Sequence, residues 1–403
     1  MKRIVLFAMV LAAPLLLLAA KGPTTPTGDD VQSVANGVTV HEWGTFTSVA
    51  GPSGEAVTWL PLGDTVPLGS GDLPCFVDHF NNWPPKYTLS TLVRMETPVL
   101  YFYSPKETRV NVGVAFPKGL ITEWYPHATA IGPTQGDWRN DWRLEKGSIH
   151  WNNVIVVPDA APDYPTGSGN SHYYAARKTD SSPLKVHSQK EKFLFYRGMG
   201  NIEVPIAAMV QSDGKIEVRN LGKTAIDGMI LFQSRNGKLG YRVVQTLRGQ
   251  AVLDPPSLTG SFEALRPELE AMLLRQGLFE KEARAMVETW RDSWFEDGTR
   301  VLYMVPGNAV NAALPLTIDP KPVKLARAFV GRLEIITPEM MQDVKAAAMN
   351  DDRKTLERYG LFLDPIATAL LGKPMKAEDG EQVRDTVKQV RTAYFAKQRE
   401  CSK

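Results

Sequence analysis

The chain lacks most of the residue patterns that announce a chemistry. It has two cysteines, Cys75 and Cys401, and six histidines in 403 residues. No two histidines stand two or four apart, so no strand or helix offers a ready pair of imidazoles to a metal. The zinc-protease pattern H-E-x-x-H fails after His41 and Glu42, because Thr45 stands where the second histidine belongs. Nucleophile motifs fail too. In "GSGNSHYY", His172 and Tyr173 follow Ser171 where x-G is required. Ser182 and Lys185 have S-x-x-K spacing, but no helix signal follows and there is no K-T-G. No cofactor motif is present, so no cofactor is expected. No repeat of 20–50 residues appears, which excludes solenoids and propellers. A basic block is also missing. Without residues 1–20 the chain carries 44 basic side chains (46 − 2) against 44 acidic ones, and nucleic-acid binding needs an excess of Lys and Arg.

Long apolar runs are absent after the first twenty residues, "MKRIVLFAMVLAAPLLLLAA". Lys2 and Arg3 precede an apolar run from Ile4 to Leu18, and the small residues Ala19 and Ala20 close it. This order reads as a secretory signal. An uncleaved anchor is the alternative; Pro14 within the run favours cleavage. Residues 21–37 form a Pro/Gly/Thr linker. The expected product is exported, periplasmic or secreted, with no membrane span in the mature chain. An exported chain can join Cys75 and Cys401 in one bridge, the alternative being two separate thiols.

Apolar residues make up 43% of the chain, enough for a substantial core. From Val38 to about Val252 the pattern has mostly period two. "RVNVGVAF" places Val110, Val112, Val114 and Phe116 on alternate positions, a half-buried strand. Asp213-Gly214 and Asn236-Gly237 sit between apolar runs as hairpin turns, so residues 202–245 read as a four-stranded meander. Past Pro255-Pro256 the texture turns helical, ending at Asp297-Gly298, and strands then return. Thr337-Pro338 and Asp364-Pro365 read as helix starts. The expected fold is β-rich α+β. An antiparallel β-sandwich spans 38–336 with a helical insertion at about 258–297, and helices fill 337–403.

"HEWGTFT" at residues 41–47 resembles a segment of exported bacterial proteins of uncharacterised function. There too it follows the signal peptide and linker. The resemblance extends through "METPVLYFYSP", "TEWYP", "HYYAAR", "EKFLFYRG" and "ETWRDSWFEDGTRVLYMVP". It implies export and carries no activity or residue role.

Strand alternation puts His41, Trp43, Thr45 and Thr47 on one face and Glu42, Gly44 and Phe46 on the other. Two Glu-Trp pairs, Glu42-Trp43 and Glu123-Trp124, together with Trp138 and Trp142, set indoles beside carboxylates. Sugars are bound by such surfaces. Glu42 and Glu123 are therefore candidate acid/base carboxylates for glycoside hydrolysis, and Trp43, Trp124, Trp138 and Trp142 candidate stacking platforms. The same residue types also build cores. The partner expected is a glycan or another envelope component. A second reading is a metal-dependent hydrolase around Cys75, Asp78 and His79 in "CFVDHF". A third is a non-catalytic envelope scaffold that docks through the C-terminal helices.

Overall fold

The computed structural model describes residues 37–60, 73–80, 89–133, 145–167 and 171–397. The signal segment, nearly all of the linker, Trp138, Trp142 and Cys401 lie outside the described residues.

The first half of the chain is strands: β1 (Thr39–Ala50), β2 (Ala56–Val57), β3 (Asp78–His79), β4 (Val93–Tyr103), β5 (Thr108–Phe116), β6 (Gly119–Tyr125), β7 (Ala130–Gly132), β8 (Gly147–Val156). A 3-10 turn, His172–Arg177, precedes β9 (Leu184–Val186), β10 (Gln189–Glu191), β11 (Leu194–Gly200), β12 (Ile206–Val210) and β13 (Ile216–Asn220). Strands β14 (Ile226–Arg235), β15 (Lys238–Leu247) and β16 (Gln250–Leu253) lead into helices α1 (Phe262–Arg275), α2 (Glu280–Thr289) and α3 (Arg291–Trp294). Then come β17 (Gly298–Met304), α4 (Gly307–Ala313), β18 (Leu316–Asp319) and β19 (Lys324–Ile335). Helices α5 (Pro338–Met349), α6 (Arg353–Glu357), α7 (Leu363–Leu371) and α8 (Ala377–Lys397) end the described chain.

The fold is β-rich, its sheets mostly antiparallel, with helices added. A ten-stranded sheet runs β15-β14-β17-β19-β1-β4-β11-β6-β3, with β2 beside β1. A six-stranded sheet runs β10-β9-β8-β5-β18, with β7 beside β8, and a three-stranded sheet runs β12-β13-β16. One pairing departs from the antiparallel expectation: β1 and β19 run parallel from Thr39↔Lys324 to Ala50↔Ile335. The expected meander is also replaced. Strand β13 pairs with β16, not β14, so the two hairpins belong to different sheets. Asn236 and Gly237 do take the positive φ angles of a type I′ turn, 53° and 74°.

One apolar cluster joins the inner face of the ten-stranded sheet, through Val40 and Phe102, to Val112 and Trp151 of the six-stranded sheet. A second covers the opposite face, where Trp43, Tyr101 and Phe195 meet Leu269, Met286 and Trp294 of the helices between β16 and β17. The C-terminal helices pack a third cluster on Val49 and Trp59. The Thr337 hydroxyl caps α5 through the Met340 amide. At α7 the cap position belongs to Phe362, and Asp364 sits inside the first turn, paired with Arg391.

Candidate functional site

Strand β1 is buried along its whole length, so its polar side chains must find partners inside. His41 and Glu42 diverge, as alternation requires. Glu42 accepts from the Tyr196 hydroxyl at 2.6 Å and from Arg327 Nε, on the face shared with the six-stranded sheet. His41 Nδ1 meets Glu282 Oε2 of α2 at 2.8 Å on the helical face. Glu282 also accepts from the Tyr103 hydroxyl at 2.8 Å and the Phe279 amide at 2.7 Å. Burial, reinforced by the charge of Glu282, pushes the Tyr103 hydroxyl well above its usual range. Burial beside Glu42 does the same to Tyr196.

Glu123 lies elsewhere. It accepts from Arg197 Nε at 2.7 Å and from the Thr122 hydroxyl at 2.6 Å. Tyr196 and Arg197 are neighbours on β11 and point to opposite faces, so Glu42 and Glu123 do too. The two glutamates expected to flank one glycosidic bond are separated by the sheet itself.

On the helical face a different set comes together. Thr45 is paired with Glu96, Arg197 with Glu123, and Glu123 with His79. Thr45 with Glu96, and Arg197 with Glu123 and His79, thus form a row across the sheet that is joined over the register shift between β4 and β11. The next row holds Arg332, Thr47 and Arg94. Arg94 Nε lies 2.8 Å from Glu96 Oε1, and the Thr47 hydroxyl donates to Glu96 Oε2 at 2.9 Å.

The row follows a fault in the sheet. Register shifts fall between Trp43 and Thr45, between Phe195 and Gly198, and between Arg197 and Gly198. Such bulges re-aim side chains and are frequent beside active sites. Thr97, in the bulge on β4, holds a φ of 41°. A β-branched residue pays strain of order 1–3 kcal/mol there. The hydroxyls of Thr45 and Thr97 are buried, with no hydrogen-bond partner. Unpaired buried hydroxyls are uncommon and call for an explanation.

The remaining expected residues scatter. Trp43 is fully buried in the second cluster, so it is no exposed platform. Trp124 is half-buried at the sheet edge beside Phe80 and Leu89. Trp138 and Trp142 lie outside the described residues. Cys75 is disulfide-bonded, so its sulfur is no thiolate ligand; Cys401 falls outside the described residues. Asp78 and His79, adjacent on β3, face opposite ways, and Asp78 is hydrogen-bonded to His127 Nδ1. Among the described residues no group of three His, Cys, Asp or Glu is disposed to hold a metal.

Sequence reasoning missed Glu96, Arg94, Arg197, Thr45 as a site residue, His127 and Glu282. A signal existed: "METP" and "FYRG" belong to the segments of the resemblance, and the fold brings both to "HEWGTFT". Near the same edge Arg177 binds Glu191 through Nε at 2.9 Å and Nη2 at 2.6 Å. Rings of Phe76, Tyr164, Tyr173 and Tyr174 surround its guanidinium at 5.0–5.8 Å. Burial pushes Glu191 above the usual carboxylate range, against the pull of Arg177. Compared with protein-family models and with curated proteins, the chain matches none.

Proposed function

We propose that this is an exported protein that binds a glycan, without cleaving it, at the sheet-edge end of the row from Thr45 to His79. The row itself supports this reading. It alternates hydroxyl, carboxylate, guanidinium, carboxylate and imidazole, and its guanidinium, together with that of Arg94, balances its two carboxylates. Donors and acceptors in alternation with no net charge suit a neutral polyol, each hydroxyl of which both donates and accepts. An anionic or cationic ligand would call for an excess of one sign. Glu96 is ion-paired with Arg94 and accepts from the Thr47 hydroxyl, and Glu123 accepts from Arg197 and the Thr122 hydroxyl. Neither is presented as a proton donor, whereas glycoside hydrolysis needs one carboxylic acid. The half-exposed His79 marks the open end of the row at the sheet edge, and Thr45, Glu96, Arg197 and Glu123 behind it are buried.

The basic, apolar and small-residue order of residues 2–20 supports export. The cluster shared by the ten- and six-stranded sheets supports reading them as the two layers of a sandwich.

Glycan-array binding of the wild type beside His79→Ala and Trp124→Ala tests the proposal. His79→Ala, at the half-exposed end of the row, should leave the melting temperature nearly unchanged and weaken binding about tenfold or more. Trp124→Ala, on the opposite face of the sheet, should leave binding unchanged. A wild type that binds no glycan, or binding untouched by His79→Ala, refutes the reading.

A further inference from the structure

A groove of about 590 Å³ lies where the far end of β1, the edge strand β12 and the helices α5 and α7 meet. It falls between two apolar clusters, one of the sheets and one of the C-terminal helices. Junctions of this kind are where small ligands settle, in pockets of roughly 300–1,000 Å³ with mostly apolar walls. Val57, Trp59, Met209, Ile336, Met341 and Pro365 form the wall, and Val57 is 37% exposed. An exposed valine beside this much apolar surface marks ground that an apolar ligand would cover.

The polar side chains are few: Thr58 just after β2, and Asp364, Thr368 and Lys373 on α7 and just past it. Thr368 and Lys373 are exposed. Asp364 is already held by Arg391. Lys373 has no ion-pair partner among the described residues. The lining therefore offers one uncommitted positive charge beside a long apolar wall.

We infer that this groove binds a single-chain amphiphile, an alkyl chain with an anionic head, with the head at Lys373 and the chain along Val57, Met209 and Met341. The site is distinct from the Thr45–His79 row and does not depend on the glycan reading. Apolar walls alone would accept any hydrophobe; the lone lysine selects the anionic head by charge complementarity.

Titration of the purified protein with hexadecanoate, shorter alkanoates and hexadecan-1-ol tests this. Hexadecanoate should bind saturably. Affinity should fall about fourfold for each methylene removed, on the order of two hundredfold from hexadecanoate to dodecanoate, if the chain is buried. Lys373→Glu should weaken hexadecanoate about tenfold and leave hexadecan-1-ol unchanged. Thr368→Trp, on the exposed side of α7, should block both ligands while the thermal midpoint holds; if that variant does not fold, the Lys373→Glu contrast decides. The inference is overturned by a wild type that does not bind hexadecanoate saturably. It is overturned equally by affinity independent of chain length, by binding that survives in folded Thr368→Trp, or by a Lys373→Glu variant that treats acid and alcohol alike.

Discussion

Replacing Glu282 with alanine should be among the most damaging single changes in the helices between β16 and β17. Its carboxylate is fully buried and serves three groups: His41 Nδ1 at 2.8 Å, the Tyr103 hydroxyl at 2.8 Å and the Phe279 amide at 2.7 Å. Truncation leaves an imidazole, a phenol and a backbone N–H in the interior without an acceptor. It also unties α2 from β1 and β4. Removing one partner of a buried charged cluster costs about 3–5 kcal/mol. Unfolding entropy of ~2.1 cal/mol/K per residue over 403 residues is ~0.85 kcal/mol/K, so the midpoint should fall by about 4–6 °C. Glu282→Gln keeps one oxygen and should lose about half as much. Glu280→Ala, exposed on the first turn of the same helix, is the control, expected within about 0.5 kcal/mol of wild type. Thermal unfolding followed by circular dichroism reads all three. If Glu282→Ala melts with Glu280→Ala, the carboxylate is not what fastens the helices to the sheet.

Burial, with the charge of Glu191 behind it, pushes the hydroxyls of Tyr125 and Tyr164 up to about 12 from an ordinary 10.0. A raised folded value means that their stabilising contribution is fully present below the unfolded value and is lost as pH rises through the folded one. Stability should hold to about pH 10 and fall toward pH 12, and phenolate absorbance should show these two groups titrating late; ordinary titration of both would contradict the burial described. Gly198→Ala should disrupt the sheet, because a Cβ there would lie 2.0 Å from the carbonyl oxygen of Leu120 on the paired strand. A loss of more than about 3 kcal/mol is expected in denaturant titration. Gly249→Ala, with nothing within 4 Å, should be silent.

The local grammar of the chain was legible, and its long-range pairing was not. Period-two runs marked β5, Asn236-Gly237 marked a hairpin, and Thr337-Pro338 marked the start of α5. These signals concern residues a few positions apart. Nothing local tells β13 to pair with β16 instead of β14. The candidate site failed for the same reason. Alternation correctly separated His41 from Glu42, but it says nothing about which face Glu123 shares with either. That depends on the order of the strands between them and on the bulges at Thr97 and Arg197, each of which shifts the register of the rest of its strand. Glu96 escaped notice because it stands before the apolar run "PVLYFY", where a lone carboxylate looks incidental.

The buried charges also answer a difficulty that the apolar pattern creates. Strands β1, β4, β11 and β17 are buried on both faces. A one-residue slip would exchange their faces, but a two-residue slip would keep every side chain on its own face and cost little in apolar burial. Ion pairs remove that freedom. Glu42 is in register with Arg327 across β1 and β19, Arg300 with Glu334 across β17 and β19, and Arg197 with Glu123 across β11 and β6. Each of these register partners is also an ion pair. A two-residue slip at any of the three joints would strand two charges in the interior, a loss of about 3–5 kcal/mol that alkyl packing cannot recover. The pairs need not add net stability over a hydrophobic substitute. They make the neighbouring registers unfavourable, and at the β11–β6 joint the Arg197–Glu123 pair fixes Arg197, Glu123 and, through Glu123, His79 in line.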